Sequence, residues 1–290
     1  MTKAIGFIGL GVMGFPMAGH LSIHNKISVF NRTQSKSEIW SSKYNGKICK
    51  SPAELAKISD VIILCIGNDN DVRDIFKGHQ GLLDNIKTGT IVVDHTTTSA
   101  KLAIEMSELL SPNGIFYIDA PVSGGEAGAQ LGKLSIMAGG NKEAYDQIKS
   151  IIKPYTKLIK YMGLSGSGQY TKMVNQICIA GLIQALAEGI NFSEKVGLDS
   201  RSVLEVVSSG AAQSWQMDNR WLTMLDDDYD HGFAVDLMRK DLDIVLKEAE
   251  KSNISLDVTK IINEFYKDIQ DAEGVRWDTS SLLKRIEELT

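Results

Sequence analysis

Residues 4–22 read AIGFIGLGVMGFPMAGHLS, and this stretch decides the fold. An apolar run from Ile5 to Ile8 passes directly into Gly9, Gly11 and Gly14, and a helix-like pattern follows. Glycines at this spacing between a strand and a helix are the fingerprint of a βαβ unit that binds a dinucleotide. Gly9 permits the tight turn, Gly11 lets the backbone approach a pyrophosphate, and Gly14 allows the helix to pack closely on the strand. The helix N-terminus then offers amides and partial positive charge to the phosphates. The turn Gly9, Leu10, Gly11, Val12, Met13, Gly14 is therefore the expected cofactor cradle.

Working outward, the first half alternates apolar, β-branched runs with helical patterns. AIGFIG, ISVF, DVIILCIG, TIVVDH, IFYIDA, LSIMAG and KLIKYMG read as strands; 12–24, 33–44, 98–110 and 141–153 carry helix-like apolar spacing. Such alternation predicts an α/β fold, a Rossmann-type doubly wound and mostly parallel sheet, with VIILCI covered on both faces. Strand signals stop after about residue 165. A long helix over 165–195 links residues 1–164 to an all-helical domain over 196–290, with helices expected at 199–208, 235–252, 256–272 and 279–289. Asp199 and Thr279 are candidate caps.

About 20 residues beyond the glycine turn, an NAD site places an acid on the ribose hydroxyls. This chain has Asn31, Arg32 and Thr33 there, after Phe30. An arginine with neutral neighbours suits a 2′-phosphate, so NADP is expected over NAD; the bland alternative is an arginine capping a surface loop.

Composition narrows the rest. The 290 residues have a net charge of −5, which argues against a nucleic-acid partner. Residues 1–195 hold 20 basic and 16 acidic side chains, net +4, against 11 and 20, net −9, in residues 196–290. Cys49, Cys65 and Cys178 form no C-x-x-C pair, and the five histidines show no metal-binding spacing, so no metal is expected. No apolar stretch reaches about 18 residues and no signal-peptide layout opens the chain, which points to a cytoplasmic protein without a membrane partner. Asp226, Asp227, Asp228 and Asp230 read as a solvated loop rather than a calcium site.

Four segments, GLGVMGFPMAGHL, Asp119-Ala120-Pro121-Val122-Ser123-Gly124-Gly125, GSGQYTKMVNQ and Lys240-Asp241-Leu242, come in an order that resembles the β-hydroxyacid dehydrogenases over residues 6–242. The resemblance implies NAD(P)-linked hydride exchange between a small 3-hydroxyacid and its semialdehyde. It implies Lys172 as the catalytic acid/base and Ser123, Gly124, Gly125, Asn175 and Lys240 as substrate residues. It adds Ile66, Gly67, Thr96, Thr97 and Lys240 to the cofactor contacts, although the family often has proline where Gly67 stands. From the residues alone, Ser123-Gly124-Gly125 serves equally as a turn, Lys172 as a snorkelling surface lysine and Lys240 as a helix-surface charge paired with an acid. Asn175-Gln176 resembles the tartronate semialdehyde reductases, whereas 3-hydroxyisobutyrate dehydrogenases typically carry two asparagines. A non-catalytic NADP-binding module and a dehydrogenase of serine or a sugar acid are the competing readings. Apolar helix faces predict a homodimer or homotetramer. Trp215, Trp221 and Trp277 are expected in core packing, and His20 has no assigned role.

Overall fold

The computed structural model describes residues 3–289, which divide into two units at Lys172 and Met173. In the first unit β1 (Ile5–Ile8), α1 (Gly14–Ser22), β2 (Ile27–Phe30), α2 (Gln34–Lys43), β3 (Lys47–Ile48), α3 (Pro52–Ile58), β4 (Val61–Leu64), α4 (Asp69–Lys77), β5 (Ile91–Asp94), α5 (Ala100–Leu110) and β6 (Phe116–Asp119) alternate as expected. Then come β7 (Val122–Ser123), α6 (Gly125–Gln130), β8 (Leu134–Gly140), α7 (Lys142–Ile148) and β9 (Thr156–Gly163). Among the described residues these nine strands form one sheet in the order β3-β2-β1-β4-β5-β6-β8-β7, with β9 beside β8. Strands β1 to β6 are parallel; β8 runs antiparallel to β6 and β7 but parallel to β9. The fold is a Rossmann-type, mostly parallel sheet flanked by helices.

Strand alternation builds two cores. Ile5, Phe7, Val61, Ile63, Ile91 and Val93 belong to one buried cluster, and Ile8, Ile62, Leu64 and Val92 to another. Adjacent residues of one strand enter different clusters because side chains alternate across a sheet. The continuous run VIILCI is therefore apolar on both faces for a packing reason.

Short polar residues start α3 and α4, which periodicity alone missed. Ser51 accepts from Glu54 N at 3.1 Å ahead of α3, and Asn68 from Asn70 N and Asp71 N at 2.9 and 3.1 Å ahead of α4. The strands β3 and β7 were also missed; each has only two residues, too few for a period to register.

The long helix α8 (Ser167–Lys195) begins in the first unit and continues into the second, followed by α9 (Ser200–Val207), α10 (Trp215–Leu225), α11 (Val235–Lys251), α12 (Asp257–Asp271) and α13 (Leu282–Leu289). By length and composition α8 could cross a membrane, which corrects the expectation of no such apolar stretch. The same properties suit a core helix: Ala180, Ile183, Ala187 and Ile190 are buried with Trp221, Met238, Leu242 and Tyr266 in the second unit's core. Asp199 caps α9 by accepting from Ser202 N at 3.0 Å. The other expected cap moves by one residue: Asp278, not Thr279, accepts from Ser280 N, and Thr279 lies inside the short 3₁₀ turn before α13. Trp221 is buried and Trp277 packs on the core, but Trp215 is exposed with the Arg220 guanidinium over its ring, so core packing does not explain it. In the acidic loop Asp226 pairs with Arg201 and Asp227 with Lys284.

Ile63 sits at the centre of the sheet with no exposed surface. Ile63→Ala is expected to lower unfolding free energy by about 2–5 kcal/mol in a urea titration, through lost transfer energy and the cavity left behind.

Candidate functional site

The glycine turn has the geometry its spacing predicts. Gly9 holds φ at +99°, and a Cβ there would run into the Cys65 carbonyl; one on Gly14 would run into the Gly9 carbonyl. A Cβ on Gly11 would meet nothing within 4 Å, so the backbone there faces open space that a pyrophosphate can approach. No side chain caps α1 and its first turn carries no acid, so no negative charge opposes an anion at this helix start, where Phe15 N donates to Gly11 O at 2.9 Å. Leu10 N donates to Asn31 Oδ1 at 2.8 Å, while Asn31 Nδ2 donates to Thr33 O at 3.0 Å. Asn31 thus fixes the turn to the end of β2, and these residues fit a dinucleotide. Arg32 is exposed and bonds Asp71 Oδ1 at 3.2 Å. His20 bonds the carbonyls of Ala129 and Gln130 at 3.1 and 3.0 Å, tying α1 to the end of α6.

The carboxyl ends of β4, β5 and β6 are joined by buried polar bonds. Ile66 N donates to Thr96 Oγ1 at 3.1 Å, Thr96 N to Asp94 Oδ1 at 2.8 Å, and Tyr117 Oη to Asp94 Oδ2 at 2.5 Å. Burial pushes the Asp94 carboxyl up to about 6, against the pull of the Thr96 and Tyr117 bonds. His95 lies between a carbonyl, Ala120 O at 2.6 Å from Nδ1, and Tyr155 Oη at 2.9 Å from Nε2. Burial pushes this imidazole down to about 4, so it is neutral at pH 7, with Nδ1–H donating and Nε2 accepting.

Ser123 ends β7 half-buried, and Gly124 and Gly125 follow at φ +134° and +62°, a backbone that favours glycine. Beside them Asp119 closes β6 and receives the start of α8. Its Oδ1 accepts from Gly166 N at 2.8 Å and its Oδ2 from Gln169 N at 3.0 Å. Gln169 turns its amide to the loop after β5, donating to Thr96 O at 2.8 Å and accepting from Thr98 N at 3.1 Å. Gly168 must lack a side chain because a Cβ would meet Asp119 O and Met137 O at 2.5 Å. Three residues after Gln169, Lys172 is only 7% exposed, which is not the position of a snorkelling surface lysine.

In the second unit a chain of bonds connects the remaining candidates. Asn175 Nδ2 donates to Gln176 Oε1 at 2.8 Å, Gln176 Nε2 donates to Asp241 Oδ2 at 2.7 Å, and Lys240 Nζ lies 2.9 Å from Asp241 Oδ1. Gln176 and Asp241 are buried. Lys240 is therefore paired with an acid, as the bland reading holds, but the acid is buried and also reaches Asn175 through Gln176. Asp119, Gln169, Gln176 and Asp241 stand inside the motifs quoted above, yet nothing in residue type or spacing reveals their bonds.

The family model described as the NAD binding domain of 6-phosphogluconate dehydrogenase matches residues 4–163, and that described as NAD-binding of NADP-dependent 3-hydroxyisobutyrate dehydrogenase matches residues 166–286. An uncharacterized oxidoreductase of Shewanella frigidimarina is 49% identical over 98% of both chains. The chain belongs to the β-hydroxyacid dehydrogenase family. A probable 3-hydroxyisobutyrate dehydrogenase-like protein of Arabidopsis thaliana is 37% identical over 98% of this chain and 85% of its own. The solved structure of Psf3 in complex with NADP+ and 2-OPP is 25% identical, covers 97% of this chain and 99% of its own, and superposes with a TM-score of 0.90. The family is one of NAD(P)-dependent hydroxyacid dehydrogenases.

The elevated Asp94 carboxyl has a pH signature. Its folded value of about 6 lies above the unfolded value of about 3.9, so ionisation disfavours the fold. Its contribution is intact below pH 4 and lost as pH rises through 6. Asp94→Asn keeps the Thr96 bond and removes the charge, so the variant should gain up to roughly 3 kcal/mol relative to wild type between pH 4 and 7 in paired urea titrations.

Proposed function

We propose that the chain is an NADP(H)-dependent reductase of small, carboxylate-bearing semialdehydes, running in reverse as a 3-hydroxyacid dehydrogenase, with Lys172 as the proton donor and acceptor. The observation that carries this reading is the buried Lys172 on a helix whose start is clamped by Asp119 and Gln169 to the carboxyl ends of β5 and β6. Open α/β sheets bind their ligands at that edge. Arg32 without an acid at Asn31 or Thr33 supports NADP, as does the complex with NADP+ of the solved relative.

When bound, the nicotinamide supplies the hydride that reaches the carbonyl carbon. The carbonyl oxygen then takes a proton from the Lys172 ammonium, giving the alcohol; in oxidation the neutral Lys172 amine takes it back. Gly124 and Gly125 present amides for the substrate carboxylate, and the Ser123 hydroxyl bonds the substrate. Within the second unit Gln176 holds Asn175 and Asp241 pairs with Lys240, the two further residues that the family resemblance implies for the substrate.

The screen that tests the reading measures NADPH oxidation with glyoxylate and with succinic, methylmalonic and tartronic semialdehydes, beside NADP+-linked oxidation of 3-hydroxyacids and of serine. Turnover of a semialdehyde, faster with NADPH than with NADH, is expected; equal kcat/KM with both coenzymes would return Arg32 to the status of a loop cap. Lys172→Ala should lower kcat by about 10²–10⁴, the range for a lost general acid, while the Kd for NADPH stays within threefold. Retained turnover removes the proton-transfer role. The exposed apolar side chains Val174, Leu182 and Phe192 along α8 support a homodimer or homotetramer, which a sedimentation mass of a single chain would refute.

A further inference from the structure

The strand end read as the ribose site holds a second charge that is distant in sequence. Asp71 lies in the first turn of α4, 39 residues after Arg32, and its Oδ1 accepts from Arg32 Nη1 at 3.2 Å. The two partners are unequally held. The Arg32 side chain is 87% exposed, whereas that of Asp71 is 26% exposed and its main-chain amide is tied to the Asn68 cap at 3.1 Å. The carboxylate leans over Gly67, so closely that a Cβ on Gly67 would collide with Oδ2. The missing side chain at 67 is what gives Asp71 this position. Meanwhile Asn31, at the point where an NAD site carries its acid, spends its amide on Leu10 and Thr33. The acid absent from the end of β2 is thus replaced by one from α4, aimed at the arginine.

Two consequences oppose an incoming 2′-phosphate. Its partner guanidinium is already engaged, and a fixed negative charge stands beside the place where the phosphate must bind. A 2′-hydroxyl meets neither obstacle. We propose that Asp71 is a specificity-determining residue that reduces the preference for NADP over NAD by competing for Arg32. The inference rests on the reading of Arg32 as the 2′-phosphate partner, and its test separates the two.

The Kd values for NADP+ and NAD+ are measured by isothermal titration calorimetry at a fixed ionic strength of about 0.1 M. The full chain is compared as wild type, Asp71→Asn, Arg32→Ala and the double variant, with thermal unfolding as a check of folding. Asp71→Asn retains the size of the side chain and removes only its charge. It should tighten NADP+ by about threefold to tenfold and change NAD+ by less than twofold. Arg32→Ala should weaken NADP+ at least about tenfold, and in that background Asp71→Asn should bring less than half of its gain. Unchanged or weaker NADP+ binding in Asp71→Asn overturns the proposal while leaving Arg32 its role, since the carboxylate then orients the guanidinium. Undiminished NADP+ binding in Arg32→Ala overturns the Arg32 reading and this inference with it.

Discussion

A single buried carboxylate holds the head of the helix that carries the buried Lys172. Asp119 has no exposed surface and its carboxyl is pushed up to about 6 by that burial, a cost that only directed hydrogen bonds can offset. The bonds come from the amides of Gly166 and Gln169, donors that a helix start leaves without partners. One interaction therefore satisfies both an orphaned helix end and a buried acid, and the positive end of the helix dipole adds to it. The arrangement demands close approach. Gly168 and Gly139 meet where a Cβ on either would strike Asp119 or neighbouring backbone, so the glycines around the start of α8 are there for space rather than flexibility.

The same logic extends along the carboxyl edge of the sheet. Asp94, Thr96, Tyr117 and Gln169 form a set in which each buried polar group answers another, and Thr96 supports Ile66 rather than standing free at the surface. Such sets are rigid because breaking any member strands a buried partner. His95 contributes without charge: its depressed basicity keeps it neutral while it bridges Ala120 and Tyr155. The loop ends at the carboxyl edge of the sheet are thus held by buried groups that bond one another.

These supports mark the limit of what the sequence discloses. The βαβ alternation and the glycine turn were legible because period-two burial and steric exclusion act within a few residues. The long α8 was legible because small and apolar residues recur along it without a strand signal or a helix breaker. The helices α3, α4, α6 and α10 were not, since each is short or begins at a polar cap that resembles loop sequence. Gly9 was read for a tight turn and Gly14 for close packing of helix on strand, and the positive φ of Gly9 and the Gly9 carbonyl against Gly14 agree; the positive φ of Gly124 and Gly125 was not read from the sequence. Asp119 and Gln169 went unread because their partners lie up to 73 residues away. A pairing between distant residues leaves no period and no spacing to detect.

The dipeptide Asn175-Gln176 shows how a substitution between similar amides acquires a physical meaning only in three dimensions. Gln176 uses both ends of its side chain, accepting from Asn175 and donating to Asp241, which in turn lies against Lys240. Asparagine at 176 is shorter by one methylene, about 1.5 Å, and from a fixed helix it cannot span the same two partners. Two adjacent asparagines would leave Asp241 to be satisfied in another way and Asn175 freer to turn. The difference between glutamine and asparagine here is thus a difference in how firmly a neutral amide and a cation are held to one buried carboxylate. Such a constraint acts through Gln176 and Asp241, both buried, on the two side chains at its ends.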